Sequence, residues 1–174
     1  RVLELCAGSG CVGLAIAANC PSARVLLGEI SEPAVRICRQ NIRRNQLTGR
    51  VSVMVMDVKE PPARSLGEFD CIVSNPPYIR RCESRSMSAN VLEYEPHIAL
   101  FVPNESPLLF YEKIAMDSVR LLSPGGKLYF EINEAQGEAC ARMLEAAGYK
   151  HIRIIKDLYE KNRFVSAIKP IRHG

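Results

Sequence analysis

Arg1-Val-Leu-Glu-Leu-Cys-Ala-Gly-Ser-Gly10 opens the chain as an apolar run that breaks into a loop of small residues, and Val12 to Ala18 continues it as an almost wholly apolar segment. Strand, glycine turn and buried helix is the order that brings a ligand against backbone N–H groups at a helix N-terminus. Gly8, Gly10 and Gly13 fit the pattern Gly-x-Gly-x-x-Gly. The same pattern occurs in tight strand-to-helix turns that hold nothing. The stretch therefore fixes an α/β beginning and leaves the ligand to other residues.

The next segment supplies one. Arg24 to Ile30 reads as a second strand and delivers Glu29 to its end, about 20 residues beyond the glycine loop, where a carboxylate accepts hydrogen bonds from both hydroxyls of a ribose. Ser31 is placed to cap a helix over Glu32 to Gln46, with Pro33 in its first turn. Val51 to Met56 is a third strand with Asp57 at its C-terminal end, where open α/β sheets bind ligands. Two roles are open for Asp57: contact with an adenine amine, or capping a loop.

Strand-like segments recur at Val2–Cys6, Val25–Ile30, Val51–Met56, Cys71–Ser74, Lys127–Ile132, Ile152–Ile155 and Phe164–Ile168. Helical segments between them predict a seven-stranded, mostly parallel sheet with helices on both faces. The last two strands are close enough for a hairpin, so one edge strand is expected to be antiparallel.

Ser74-Asn-Pro-Pro-Tyr-Ile79 follows the apolar run Phe69 to Val73. Asn75 offers a neutral side-chain carbonyl. Pro76 has a fixed φ, no N–H and a free backbone carbonyl, and Pro77 extends the rigid turn. Tyr78 adds an aromatic face. Two acceptors and a flat surface suit a planar NH2 group whose nitrogen is to be alkylated. Alone, the Asn-Pro-Pro run also reads as a turn that ends a strand.

Together these motifs resemble the class I, Rossmann-like S-adenosylmethionine-dependent methyltransferases. More closely, they are similar to the HemK/PrmC family of release-factor N5-glutamine methyltransferases. The likeness rests on Val2 to Gly10, Gly28-Glu-Ile-Ser31, Phe69 to Ile79, Tyr94-Glu-Pro-His-Ile-Ala-Leu100, Pro124 to Ile132 with Gln136 and the helix after it, and Asp157-Leu with Asn162-Arg-Phe-Val165. It departs at Glu4, where Asp is commoner, and at Cys6, where the family usually has glycine.

The resemblance implies S-adenosylmethionine, with S-adenosylhomocysteine as product, held by Glu4, Cys6, Ala7, Gly8, Gly10, Glu29, Ile30, Asp57 and Asn75. It implies catalysis by Asn75, Pro76, Pro77 and Tyr78. The glutamine of a peptide-chain release factor would meet Asn75, Pro76, Tyr78, Glu95 and Pro96. It also implies an N-terminal helical domain that precedes a catalytic domain spanning residues 1–174 here. Docking of the release factor is expected around Arg80, Arg81 and the loop through Pro96, with ribosome association left open. The competing readings are N6-adenine methylation of DNA or RNA and a non-catalytic nucleotide-binding module. Direct nucleic-acid binding is not expected, because the chain has no space for a large recognition domain.

Composition narrows the setting. At 174 residues the chain is one domain with room for a core. No apolar run is long enough to span a membrane, and no signal peptide is read. The seven cysteines, Cys6, Cys11, Cys20, Cys38, Cys71, Cys82 and Cys140, are odd in number and show no Cys-x-x-Cys. Neither a disulfide framework nor a metal site is expected, and the expected compartment is a reducing cytoplasm. His97, His151 and His173 are scattered. The net charge is +4, with Arg36, Arg39, Arg43, Arg44 and Arg50 on or near the second helix and Arg80, Arg81 and Arg85 after the Asn-Pro-Pro-Tyr motif. The first group reads as a solvated helix face. The second is placed to steer an RNA-rich complex or an acidic protein surface.

Overall fold

The structure, a computed structural model, describes residues 1–80, 101–103 and 105–171. From the N-terminus, β1 (Val2–Leu5), α1 (Cys11–Asn19), β2 (Val25–Glu29), α2 (Glu32–Arg44), β3 (Val51–Val55) and β4 (Phe69–Ser74) alternate. A two-residue pair follows, β5 (Ile79–Arg80) with β6 (Phe101–Val102). Then come α3 (Leu109–Leu121), β7 (Leu122–Glu131), α4 (Gly137–Ala146), β8 (Lys150–Lys156) and β9 (Asn162–Ile168).

The main sheet has the order β3-β2-β1-β4-β7-β9-β8, seven strands as the sequence predicts. The pairs from β3 through β7 are parallel, and β9 runs antiparallel to both β7 and β8. The reversed strand is thus one in from the edge, with β8 outside it. Strand order reverses between β1 and β4, which opens a crevice at their C-terminal ends.

Each face of the sheet carries its own core. On one, Leu14 and Ala17 of α1 and Cys38 and Ile42 of α2 pack on Val25, Leu27 and Val51. On the other, Tyr111, Ile114 and Ala115 of α3 and Cys140 and Leu144 of α4 pack on Leu3, Leu5, Ile72, Leu128 and Phe130. The two-residue period of β1 sends Leu3 and Leu5 to the second core and Glu4 toward α1. In α2, Val35, Cys38 and Ile42 recur at helical spacing on the buried side. Ser31 caps the helix, its Oγ accepting from Ala34 N at 3.4 Å.

Several boundaries differ from the sequence reading. Cys6, Ile30, Met56 and Ile132 fall just past their strands. Cys6 has already turned into the left-handed region, φ 57°, the conformation that makes glycine the usual residue there. Strand β7 begins at Leu122, not Lys127, and carries Pro124-Gly125-Gly126 within it. The β4–β7 register jumps from Phe69 opposite Leu122 to Cys71 opposite Lys127, so those residues form a bulge inside the strand. Helix α2 ends at Arg44 because Gln46 is left-handed, φ 57°. Helix α1 is buried on one side only: Gly13, Leu14 and Ala17 are covered, whereas Val12 is 43% exposed. Helix α3 fills the expected place between the fourth and fifth predicted strands, and the β5–β6 pair is an addition to the predicted sheet.

Arg50 does not belong to the solvated face formed by Arg36, Arg39, Arg43 and Arg44. Its Nη1 donates to the carbonyls of Ala17, Cys20 and Ala23 at 2.6, 3.2 and 3.4 Å, closing the C-terminal end of α1.

Gly13 sets how closely α1 approaches the sheet. A Cβ there would stand 2.5 Å from Leu27 Cδ2, 2.6 Å from Glu4 Oε2 and 2.9 Å from Val25 Cγ1. Gly13→Ala is therefore expected to destabilise the domain by about 1–3 kcal/mol despite alanine's better helix propensity. Urea unfolding that shows equal or greater stability for the variant would contradict this packing.

Candidate active site

The loop after β1 is held from three sides. Glu29 Oε2 accepts from Gly8 N at 2.7 Å, and its Oε1 accepts from Ser31 N at 2.8 Å. One carboxylate thus joins the glycine loop to the start of α2. Beneath the loop, Glu4 Oε2 accepts from Gly13 N at 2.7 Å. Helix α2 braces the outer side: Cys38 Sγ donates to Gly8 O at 3.1 Å and Asn41 Nδ2 to Ser9 O at 3.0 Å.

These bonds decide what the glycine pattern can bind. A phosphate cradle needs free N–H groups. Here Gly8 N serves Glu29, Gly13 N serves Glu4, and Gly10 N donates to Ala7 O at 2.7 Å. The Gly-x-Gly-x-x-Gly segment is built on carboxylates and does not offer those three donors to a pyrophosphate.

The adjoining cleft measures about 370 Å³, within the range of small-molecule sites. Cys6, Gly8, Glu29, Ile30, Asp57 and Asn75 line it, together with Pro77. Glu4, Ala7, Gly10, Pro76 and Tyr78 are not on its wall. Glu4 is buried behind the loop and Pro76 within the turn, whereas Tyr78 is half-buried against the α3–α4 core. Asp57 does cap a loop, its Oδ1 accepting from Lys59 N at 2.9 Å, and it also faces the cleft. Glu29 is 7% exposed, not a loose strand-end carboxylate. Two of its four lone-pair directions are taken, which leaves acceptor capacity for a ligand's hydroxyls.

Sequence reasoning missed the rest of the wall. Ile37, Met56, Val58 and Phe110 give the cleft its apolar lining, and Lys59 Nζ lies 5.5 Å from the centre of the Phe110 ring. Ile37 falls on the outward side of α2 by period, and that exposed apolar position was the available signal. Phe110 comes from a helix no motif announces. Glu95 and Pro96, with Arg81, Arg85, Cys82, His97, His173 and the 94–100 loop, lie outside the described residues. Among the described residues the cysteines are free, and no group of three His, Cys, Asp or Glu side chains is gathered as a metal site.

Ser74 Oγ donates to Leu5 O at 2.8 Å, tying the ends of β4 and β1 together directly below the turn that carries Asn75. Asn75 is exposed at the mouth and Pro77 is buried beside it. The glycine loop and the Asn-Pro-Pro-Tyr turn, distant in sequence, therefore meet at the point where strand order reverses.

Burial pushes the Glu4 carboxyl up to about 7, against the N–H groups of Gly13 and Val12 that favour its charged form. With a folded value above the unfolded one, the folded state holds the extra proton between about pH 4.5 and 7. This contribution favours folding fully below that window and is lost as pH rises through it. Glu4→Gln should therefore gain on the parent by about 1–3 kcal/mol in relative stability between pH 5 and pH 8. Parallel stability profiles from urea titrations would refute this.

Known proteins agree with this geometry. The methyltransferase small domain family matches residues 1–94. A release factor glutamine methyltransferase of Bacteroides thetaiotaomicron is 44% identical over 167 residues, 96% of this chain and 59% of the relative. One from Flavobacterium psychrophilum is 39% identical over 95% of this chain and 57% of the relative. The chain thus spans about three fifths of the length of these curated relatives. A methyltransferase structure from Pyrococcus furiosus shares the fold, with a TM-score of 0.67 at 20% identity over 98% of this chain and 75% of that one. A parallel sheet with a cleft where β1 and β4 part is what these relatives lead one to expect, and the chain belongs to the methyltransferase small domain family.

Proposed function

We propose that this domain transfers a methyl group from S-adenosylmethionine to the side-chain amide nitrogen of a glutamine in a peptide-chain release factor. One observation carries the reading: Glu29 and Asn75 line the same cleft. The same wall thus carries a carboxylate that can accept further hydrogen bonds and the turn that would bind the amide. The names of the two curated relatives supply the substrate class.

The residues fit the donor. Glu29 is placed for ribose hydroxyls, Asp57 for an amine, and Ile30, Ile37, Met56 and Val58 for a flat heterocycle. The carboxylates of Glu29 and Asp57 suit a cationic sulfonium. When bound, the donor supplies a methyl group already activated as a sulfonium substituent.

This chain's task is then to make a poor nucleophile attack. The amide nitrogen's lone pair is delocalised into its carbonyl. The Asn75 side-chain carbonyl and the Pro76 backbone carbonyl would each accept one amide hydrogen, drawing the nitrogen toward a tetrahedral shape with its lone pair aimed at the methyl carbon. Tyr78 would pack on the planar amide. As the N–C bond forms and the S–C bond breaks, positive charge builds on nitrogen, and the surplus proton leaves to solvent. Transfer needs no strong base beforehand, which agrees with neutral acceptors in the turn.

The direct test uses this chain with radiolabelled donor and a release factor, against the same factor with its acceptor glutamine replaced. Label should enter the first and not the second. Label in both, or in DNA or RNA alone, would overturn the assignment. Glu29→Ala should weaken donor binding by about 1–3 kcal/mol, because ribose hydroxyls lose their acceptor and Gly8 N loses its anchor. Unchanged affinity by calorimetry would remove Glu29 from the site. Asn75→Ala should lower turnover roughly 10²–10³-fold, with donor affinity nearly intact. Turnover that survives the substitution would reduce Asn75 to a turn residue.

A further inference from the structure

Tyr78 is held at the far end of its ring. Its hydroxyl donates to Glu131 Oε1 at 3.4 Å, and the positive charge of Arg163 acts on the same phenol. Arg163 is fixed in turn: its Nε donates to Asp157 Oδ2 at 3.2 Å. Asp157 is fixed by its own turn, its Oδ1 accepting from Tyr159 N at 2.9 Å and Lys161 N at 3.1 Å. Glu131 ends β7 in register with Phe164 of β9, and its carbonyl accepts from Tyr111 OH at 3.1 Å. Segments around residues 78, 131 and 157–163 thus gather at one edge of the sheet.

The strand directions explain the meeting. Strand β9 is antiparallel to β7, so its first residues lie beside the C-terminal end of β7, on the ligand edge of the sheet. The β8–β9 turn lies at that same edge.

From this network we infer that Glu131 and Arg163, anchored by Asp157, are positioning residues that set the orientation of Tyr78 over the acceptor amide. The inference rests on the methyl-transfer reading above. Pro76 and Pro77 fix their own φ angles but not the side-chain torsions of Tyr78. Tethering its tip removes that freedom. A partly exposed Arg–Asp pair and a long Tyr–Glu bond add little to stability, so their value is directional. Asp157 holds the planar fork of Arg163 in one orientation, which a lysine ammonium on a flexible stem does not reproduce.

The test compares Tyr78→Phe, Glu131→Gln and Arg163→Lys, singly and with each of the last two combined with Tyr78→Phe. Each single variant should lower kcat about tenfold through misplacement of the acceptor, with donor affinity by calorimetry unchanged. In the Tyr78→Phe background, Glu131→Gln and Arg163→Lys should lower kcat less than about twofold further, because the oxygen they act on is gone. Losses that multiply, or that appear as weaker donor binding, would overturn the inference. A second readout needs no substrate: in 3-fluorotyrosine-labelled protein, the Tyr78 resonance, assigned by its loss in Tyr78→Phe, should shift or broaden in Glu131→Gln and Arg163→Lys. An unmoved resonance would also overturn it. Failure of the unsubstituted chain to methylate any release factor would count against the functional reading, while the fluorine spectrum still decides whether Glu131 and Arg163 set the ring.

Discussion

The carboxylate of Glu29 is the contact on which the site most depends. Its two oxygens take backbone N–H groups from opposite sides, Gly8 after β1 and Ser31 before α2. Two connections that would otherwise move independently are fixed to the end of one central strand. Glu4 does the corresponding work underneath, fastening the start of α1 to the middle of β1. Both carboxylates use up N–H groups that a phosphate-binding version of the same turn would leave free. The difference between a dinucleotide loop and this one therefore lies less in its glycines than in the acidic residues that fill its donors.

Much of this was legible in the sequence, for identifiable reasons. Strands end where an apolar run meets Glu29, Asp57 or Asn75, and polar residues at those positions mark the ligand edge of a parallel sheet. Ser31 announces its helix because capping is a local interaction. Contacts made at long range were not legible. Arg50 reads as one more basic residue near α2, yet its guanidinium closes the end of α1. Phe110 completes the cleft from a helix far along the chain. The early start of β7 was not legible either, because nothing local shows that Gly125 N will meet Lys169 O and Lys169 N will meet Gly126 O.

The two motif regions are also built differently. Around the glycine loop, rigidity comes from hydrogen bonds to buried carboxylates. Around Asn75 it comes from covalent restriction at Pro76 and Pro77 and from Ser74 bonded down to Leu5. The second arrangement leaves the exposed Asn75 amide without a hydrogen-bond partner among the described residues. That is the condition for presenting it to another molecule.

Cys6 gives the cleft a property of a different kind. It sits at the left-handed corner where β1 becomes the loop, and it lines the cleft proposed to receive an electrophilic methyl donor. A thiolate there would be a far better nucleophile than any carboxamide and would invite self-alkylation. Burial, with the charges of Glu29 and Asp57 acting in the same direction, pushes the thiol up to about 12. Almost none of it is then ionised near neutral pH, and the thiolate is the reactive form. Burial beside acidic groups thus keeps the Cys6 thiol un-ionised while the same acidic groups suit a sulfonium, and a cysteine can replace the customary glycine without becoming a competing acceptor.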